Sequence, residues 1–254
     1  LDGHLILGWY EEGDETYYYY EKGLKCTGIS IIEGETYYFD ENGKLEWMIT
    51  DLSDGWKQIG DNWYYVKDQS ILKAQWLIFE NAIYYLDEDG KMLENEECLL
   101  EDITGDGSHV YHFGSGGALI TGWYQTSSGE WNYFDSNGLA VTGWLKLNTV
   151  WYYFSEDGVM ETGWNDIDGT WYYFDVSGSM HTGWLQLNGI WYYMMPSGAM
   201  ATGWAAADGN WYYFNESGSM HTGWLQLGNN WYYLQDSGNM VIGWQVVDGV
   251  NYYF

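Results

Sequence analysis

The sequence contains no arginine. Eight lysines stand against 37 aspartates and glutamates, for a formal net charge of -29. Nucleic-acid binding needs a basic footprint, and none is present. Adhesion to an anionic membrane is disfavoured for the same reason, and direct membrane insertion is not expected. A cationic ligand fits the sign, although solubility of a secreted protein is the plainer account of the bulk charge. Proline occurs once and cysteine twice. Cys26 and Cys98 lie more than three repeat lengths apart, so the spacing puts them on different units, too far apart to bridge. Both are expected to be free, buried, small hydrophobes. No apolar run has the length of a membrane span. No signal peptide is visible at Leu1, so the chain reads as an excised mature portion. Nothing in the sequence calls for a cofactor or a metal.

What the chain has in excess is aromatic surface: 18 Trp and 26 Tyr. So much cannot all serve a small core, and exposed aromatic surface marks binding. It is also periodic. Trp144, Trp164, Trp184, Trp204, Trp224 and Trp244 each follow a glycine and fall 20 residues apart. Trp151, Trp171, Trp191, Trp211 and Trp231 keep the same step, each followed by Tyr-Tyr. So do Met160, Met180, Met200, Met220 and Met240. A fixed period in this range signals stacked supersecondary units rather than one globular core.

Within a unit, Asp168-Gly169 separates two aromatic-rich runs, the strongest short-range hairpin signal. Asn188-Gly189, Asp208-Gly209 and Asp248-Gly249 repeat it, and Ser177-Gly178 marks a second turn into the next unit. Each unit is therefore predicted to be a β-hairpin plus a connector. A lone hairpin is marginal in water, so stacking must supply the burial. Followed backwards through the Tyr-Tyr pairs, twelve hairpins emerge, with second strands from Thr16 to Asn251. Two long steps place insertions near Trp47 to Asp54 and Glu94 to Thr104. The expected fold is all-β, a solenoid of stacked hairpins. Residues 1–118 form a degenerate acidic half with 25 acids and 7 lysines. Residues 119–254, with 12 acids and one lysine, form a regular half continuous with the first.

Strand side chains alternate faces, so in Trp151-Tyr152-Tyr153-Phe154 the Trp and second Tyr share one face and the first Tyr and Phe the other. A pocket between stacked units then draws two Trp from one unit and the first Tyr from the next. Three aromatic walls with no charged group suit a quaternary ammonium, which is held by ring quadrupoles. The degenerate units keep Tyr-Tyr while losing Trp, which suggests that Tyr-Tyr holds the stack and Trp has a separable task.

The phrase Gly-Trp, Trp-Tyr-Tyr-Phe, Gly-x-Met-x-Thr-Gly-Trp resembles the choline-binding repeats of the cell-wall-binding family, found on surface proteins and lytic enzymes of pneumococci and their phages. Glucan-binding and clostridial-toxin repeats share its layout. The resemblance is specific from Thr121 to Phe254 and looser before it. It implies a β-solenoid with sites between consecutive hairpins, recognising choline or phosphocholine on cell-wall teichoic acid, in a protein secreted to the bacterial cell surface. Carried over, the family's cage gives six adjacent trios: Trp123, Trp131 and Tyr152; Trp144, Trp151 and Tyr172; Trp164, Trp171 and Tyr192; Trp184, Trp191 and Tyr212; Trp204, Trp211 and Tyr232; Trp224, Trp231 and Tyr252. A seventh, Trp56, Trp63 and Tyr84, survives in the degenerate half.

Elsewhere the pattern fails. Thr16, Thr36, Ile83 and Val110 replace the second tryptophan and Asn132 the first tyrosine, so those spaces are expected to be silent or structural. Trp244 belongs to an end cap. The methionines are read either as an apolar fourth wall or as packing between hairpins. His181 and His221 recur at one phase and are expected to be solvent-facing connector residues. His109 and His112 could approach a metal, but the sequence shows no carboxylate or cysteine that completes a site. Asp102 to Gly107 begins like a calcium loop, but Phe113 stands where an EF-hand needs Glu, so a plain turn is expected. No acid pair recurs with an apolar pocket that would raise one pKa, as general-acid work needs.

The reading is a non-catalytic binding module anchoring a protein to choline-bearing cell wall. Its rivals are a carbohydrate-binding module for glucan or host glycan, the targeting tail of a larger secreted enzyme or toxin, and a structural spacer. Sugar sites normally add polar side chains to read hydroxyls, and the trios lack them.

Overall fold

The computed structural model describes residues 6–103, 105 and 107–254. Twelve antiparallel hairpins follow one another, and apart from one 3-10 turn at Glu21–Gly23 the described residues contain no helix. Apart from an isolated bridge between Tyr17 and Lys44, the strands of each hairpin pair with each other rather than with neighbouring hairpins, as stacking of separate supersecondary units requires. In the unit of Trp184, the strand Gly183–Leu187 pairs with Ile190–Met194, with Trp184 opposite Tyr193 and Gln186 opposite Trp191. The two-residue loops behave as their composition predicts. Asp168 and Gly169 both lie in the left-handed region, at φ 53° and 77°, the positions a type I′ turn needs to match the strand twist.

The chain divides into two compact units. The first comprises residues 1–122 with 134–139, and the second residues 123–133 with 140–254. The hairpin Gly122–Gln125 with Trp131–Phe134 contributes to both.

Inside each unit, two features tie one hairpin to the next. The first is a recurring backbone bond: the Met180 N–H donates to the Trp151 carbonyl at 2.8 Å. Met160 donates likewise to Trp131, Met200 to Trp171, Met220 to Trp191 and Met240 to Trp211. Met92 to Trp63 and Leu119 to Ile83 repeat the bond in the first unit. The second is a buried column at the residue after Tyr-Tyr. Phe39, Leu86, Phe174, Met194, Phe214 and Leu234 have no exposed surface, and Phe154 has 1%. Burying each such side chain contributes about 1.5–3 kcal/mol. The deepest packing therefore falls one residue beyond Tyr-Tyr, whose members are mostly half-buried. Tyr-Tyr shares the stacking, but the apolar residue that follows it supplies the core.

The two insertions take different forms. Around Trp47 the added residues make a further strand, Leu45–Ile49, on the edge of Glu35–Phe39. There Trp47 stacks on Tyr38 at 5.2 Å. A short strand, Ser70–Ile71, extends the following hairpin in the same way. The second insertion mostly lengthens the turn between Glu97–Glu101 and Ser108–His112, where Asp102 N–H donates to Gly107 O at 2.6 Å. Asp102 to Gly107 closes that hairpin as a turn, with Thr104 and Asp106 outside the described residues. Both cysteines are free. Cys26 is buried, but Cys98 is only half-buried, contrary to expectation, because it lies on a two-stranded hairpin flanked by Glu96 and Glu97. Desolvation and then Glu96 push its thiol pKa up.

Candidate ligand-binding cages

The two tryptophans of a unit have different surroundings. Trp184 sits edge-on to Tyr193 of its own hairpin at 5.1 Å and to Tyr212 of the next at 4.7 Å, and lies near Phe214 at 5.9 Å. Its Nε1–H donates to Asp208 at 3.0 Å. It is a packing residue as well as a wall. Trp191 meets Trp184 edge-on at 6.1 Å and leaves 40% of its surface exposed. The Trp191 backbone is anchored to the following connector, since its carbonyl accepts the Met220 N–H.

The same geometry recurs through the second unit. Trp123 lies 6.2 Å from Trp131 and 5.0 Å from Tyr152. Trp144 lies 6.0 Å from Trp151 and 4.9 Å from Tyr172. Trp164 lies 6.4 Å from Trp171 and 5.1 Å from Tyr192. Trp224 lies 6.0 Å from Trp231 and 4.8 Å from Tyr252. Trp204 meets Tyr232 at 4.9 Å, and Trp56 meets Tyr84 at 5.0 Å. The partner tryptophans Trp211 and Trp63 are 49% and 38% exposed, like their counterparts.

Two of these spaces show how the walls close. A cavity of about 330 Å³ is lined by Trp144, Trp151, Tyr172, Met180 and Ser197. A second, of about 280 Å³, is lined by Trp184, Trp191, Tyr212, Met220, Asp236 and Ser237. Adding 40 to every residue number of the first set gives five of the six in the second. The cage is thus built by three consecutive hairpins: two Trp from one, Tyr and Met from the next, and a Ser-Gly turn from the third. The methionine is both fourth wall and packing. A Cβ built on Gly198 would collide with Met180 Sδ at a residue whose φ is 88°, so any side chain there would displace the thioether and strain the turn of the third hairpin. A larger cavity of about 620 Å³ lies over Trp224, Trp231, Tyr252, Tyr253 and Phe254.

Asp236 was missed by reading the aromatic motif alone. It belongs to the turn of the third hairpin, where the other units carry Val176, Pro196 and Glu216. The signal was present in the Ser-Gly phase, which never slips against the tryptophans. A cation is already at one cage: Lys146 Nζ stands 5.3 Å from the centre of the Trp151 ring.

The degenerate spaces differ among themselves. Trp9 keeps the packing tryptophan's neighbours, Tyr37 at 5.0 Å and Phe39 at 6.1 Å, but Thr16 gives no second wall. Trp76 does the same with Tyr111 at 4.8 Å, facing Ile83 rather than Trp. Asn132, at the first-Tyr position, is 9% exposed and donates through Nδ2 to Gly158 O at 2.7 Å, so it bridges hairpins instead of lining a cage. Trp244 is 75% exposed and meets Tyr253 of its own hairpin at 5.3 Å.

The histidines depart from expectation. His181 and His221 are half-buried rather than solvent-facing, because the connector folds back on the next strand. His181 Nε2 lies 3.1 Å from the Trp184 carbonyl and Nδ1 lies 3.3 Å from Asp175. His221 Nε2 lies 2.9 Å from the Trp224 carbonyl. They tie the connector to the packing tryptophan's backbone. His112 lies 4.8 Å from the Phe134 ring and 3.6 Å from Glu97. Burial lowers its pKa and Glu97 opposes that shift. No group of three or more metal-ligating side chains gathers among the described residues.

A model of the choline-binding repeat matches residues 120–161, 141–180, 161–203 and 201–242. A model of the cell wall binding repeat matches residues 31–45, 54–69 and 75–92. This chain belongs to the choline-binding, cell-wall-binding repeat family. Among solved structures it resembles CbpJ from Streptococcus pneumoniae TIGR4, at 28% identity and a TM-score of 0.61, covering 98% of both chains. It resembles choline-binding protein F from Streptococcus pneumoniae at 29% identity and a TM-score of 0.61, covering 97% of this chain and 96% of that one. The choline-binding domain of CbpL from Streptococcus pneumoniae matches at 28% identity and a TM-score of 0.52, covering 80% of this chain and all of that one. A search of curated protein sequences finds no match. The family repeats and their solenoid architecture coincide with the stacked hairpins described above.

Proposed function

We propose that this chain is a non-catalytic module that holds a secreted protein at the bacterial cell surface by binding choline or phosphocholine groups of cell-wall teichoic acid. The sites would be the six trios between Trp123 and Tyr252, with Trp56, Trp63 and Tyr84 as a seventh. The observation carrying this reading is the cavity that recurs with a 40-residue shift, in both places with an exposed indole, a second indole, a phenol ring and a thioether. A quaternary ammonium donates no ordinary hydrogen bond, so it loses little on entering such a space and gains the ring quadrupoles. The acidity of the chain favours the same charge. One cage alone is weak, at roughly 0.5–2 kcal/mol per ring contact. A polymer carrying many such groups meets many linked sites, which can raise avidity by about 10²–10⁴ without new contacts.

Calorimetry with choline, with tetramethylammonium and with glucose oligomers tests this. Several equivalent sites of about millimolar affinity are expected for both cations and none for the sugars. An intact fold that binds glucose oligomers but neither cation would instead establish the carbohydrate-binding reading.

A further inference from the structure

One inter-hairpin space in the first unit has kept a cavity while exchanging its cage walls. In the hairpin Gly28–Ile32 with Glu35–Phe39, Ile29 pairs with Tyr38, so it stands where Trp184 stands opposite Tyr193. Ile31 pairs with Thr36, so Thr36 stands where Trp191 stands opposite Gln186. Ile71 pairs with Val66 as Met180 pairs with Phe174, so it takes the methionine's place. The first tyrosine of the next hairpin, Tyr64, packs with Ile29 and Ile71 and is completely buried. A cavity of about 320 Å³ remains, close in size to the aromatic ones, with Ile29, Thr36 and Ile71 among its walls.

Its chemistry is inverted. The remaining walls supply hydroxyls from Tyr20, Ser30 and Ser70, the Gln69 amide and the Lys73 ammonium, beside the apolar Ile31 and Leu52. No aspartate or glutamate lines it, in a chain holding 37 of them. Lys73 Nζ donates to the Ile29 carbonyl at 3.1 Å, which holds the ammonium at the cavity, and it forms no ion pair among the described residues. An ammonium with one bond made has two N–H groups left to give. Without indole faces this space offers a quaternary cation one aromatic side chain, Tyr20, in place of a three-ring cage, and its one charge repels it. Hydroxyls and an amide offer both donors and acceptors.

We propose that this cavity is a separate binding site for a small anionic, hydroxyl-bearing ligand of the sugar-acid or sugar-phosphate class, whose charge pairs with Lys73 and whose hydroxyls meet Thr36, Ser30, Ser70 and Gln69. It is independent of the choline reading, since the two sites share no residue and prefer opposite charges.

The test is calorimetry on the full chain with glucuronate, glucose 6-phosphate, glucose and choline. Binding of glucuronate or glucose 6-phosphate at about millimolar affinity is expected, unaffected by saturating choline. Whichever of the two binds more tightly identifies the anion as carboxylate or phosphate. Lys73→Gln should weaken that binding by about tenfold or more, since a charge-assisted hydrogen bond is lost, and Lys73→Arg should largely restore it. Lys73 is solvent-exposed, so the variant should keep its fold, and choline stoichiometry serves as the internal check. The proposal is overturned if neither anionic sugar binds below about 10 mM. It is equally overturned if glucose binds as tightly as they do, if Lys73→Gln leaves the affinity unchanged, or if choline displaces the ligand.

Discussion

Replacing Trp191 and Trp184 separately by alanine should split ligand binding from stacking. The Trp191 indole is 40% exposed and has one aromatic neighbour at 6.1 Å. The backbone bond that ties this hairpin to the next uses the Trp191 carbonyl, which alanine retains. Trp191→Ala should therefore cost about 1–2 kcal/mol of stability. At the cage it removes one ring, which offers a cation roughly 0.5–2 kcal/mol, so that site weakens by about 2- to 30-fold. For a site of millimolar affinity, that takes it out of the measurable range. Choline stoichiometry by calorimetry should fall by about one, and retention on a choline-bearing matrix should fall only modestly. Trp184 meets Tyr193, Tyr212 and Phe214 within 6 Å and donates a hydrogen bond to Asp208. Trp184→Ala should cost about 3–5 kcal/mol in urea unfolding and remove the same site. If Trp191→Ala stays folded with unchanged stoichiometry, Trp191 is a packing residue and the cage assignment is wrong. If the two variants lose equal stability, the division of labour between the tryptophans is wrong.

Gly198→Ala places a methyl against Met180 at a residue whose φ is 88°, so it should destabilise by about 1–3 kcal/mol. It should also weaken the site of Trp144 and Trp151, whose cavity the third hairpin's turn helps to line; choline stoichiometry by calorimetry would be unchanged if the third hairpin takes no part. Asp236→Asn should weaken choline at the Trp184 cage by about 2- to 5-fold and flatten its salt dependence, because only that charge is removed; equal salt slopes before and after would contradict a role for the carboxylate. His112 has its folded-state pKa lowered by burial, so the unfolded chain takes up its proton first. Its contribution to stability is present above the ordinary histidine pKa and is lost as pH falls from that value through the lower folded-state one. Melting of the wild type between pH 7.5 and about 5.5 should therefore fall more than melting of His112→Gln, and parallel pH profiles would refute this.

Much of this was written along the chain itself. The 20-residue step of the tryptophans fixes the unit, and Asp168-Gly169 with its repeats fixes where each hairpin turns, because few residues tolerate two successive positive φ angles. The alternation of strand side chains separates the Trp face from the Phe face, and the resemblance to the choline-binding repeats then names the trios. Even the losses are local: Thr36 and Ile83 show that a second wall is missing. Only the tertiary structure decided what fills the space around those positions, because that depends on a hairpin two units away. The seat of Met180 on Gly198, the entry of Asp236 into the Trp184 cage and the fold-back of His181 onto the Trp184 carbonyl join residues that no motif places side by side. The space beside Thr36 makes the same point. Loss of the tryptophans predicts silence there, yet whether the hairpins close the gap or leave it open depends on how Tyr64, Ile71 and the inserted strand pack, and they leave it open with Lys73 at its wall.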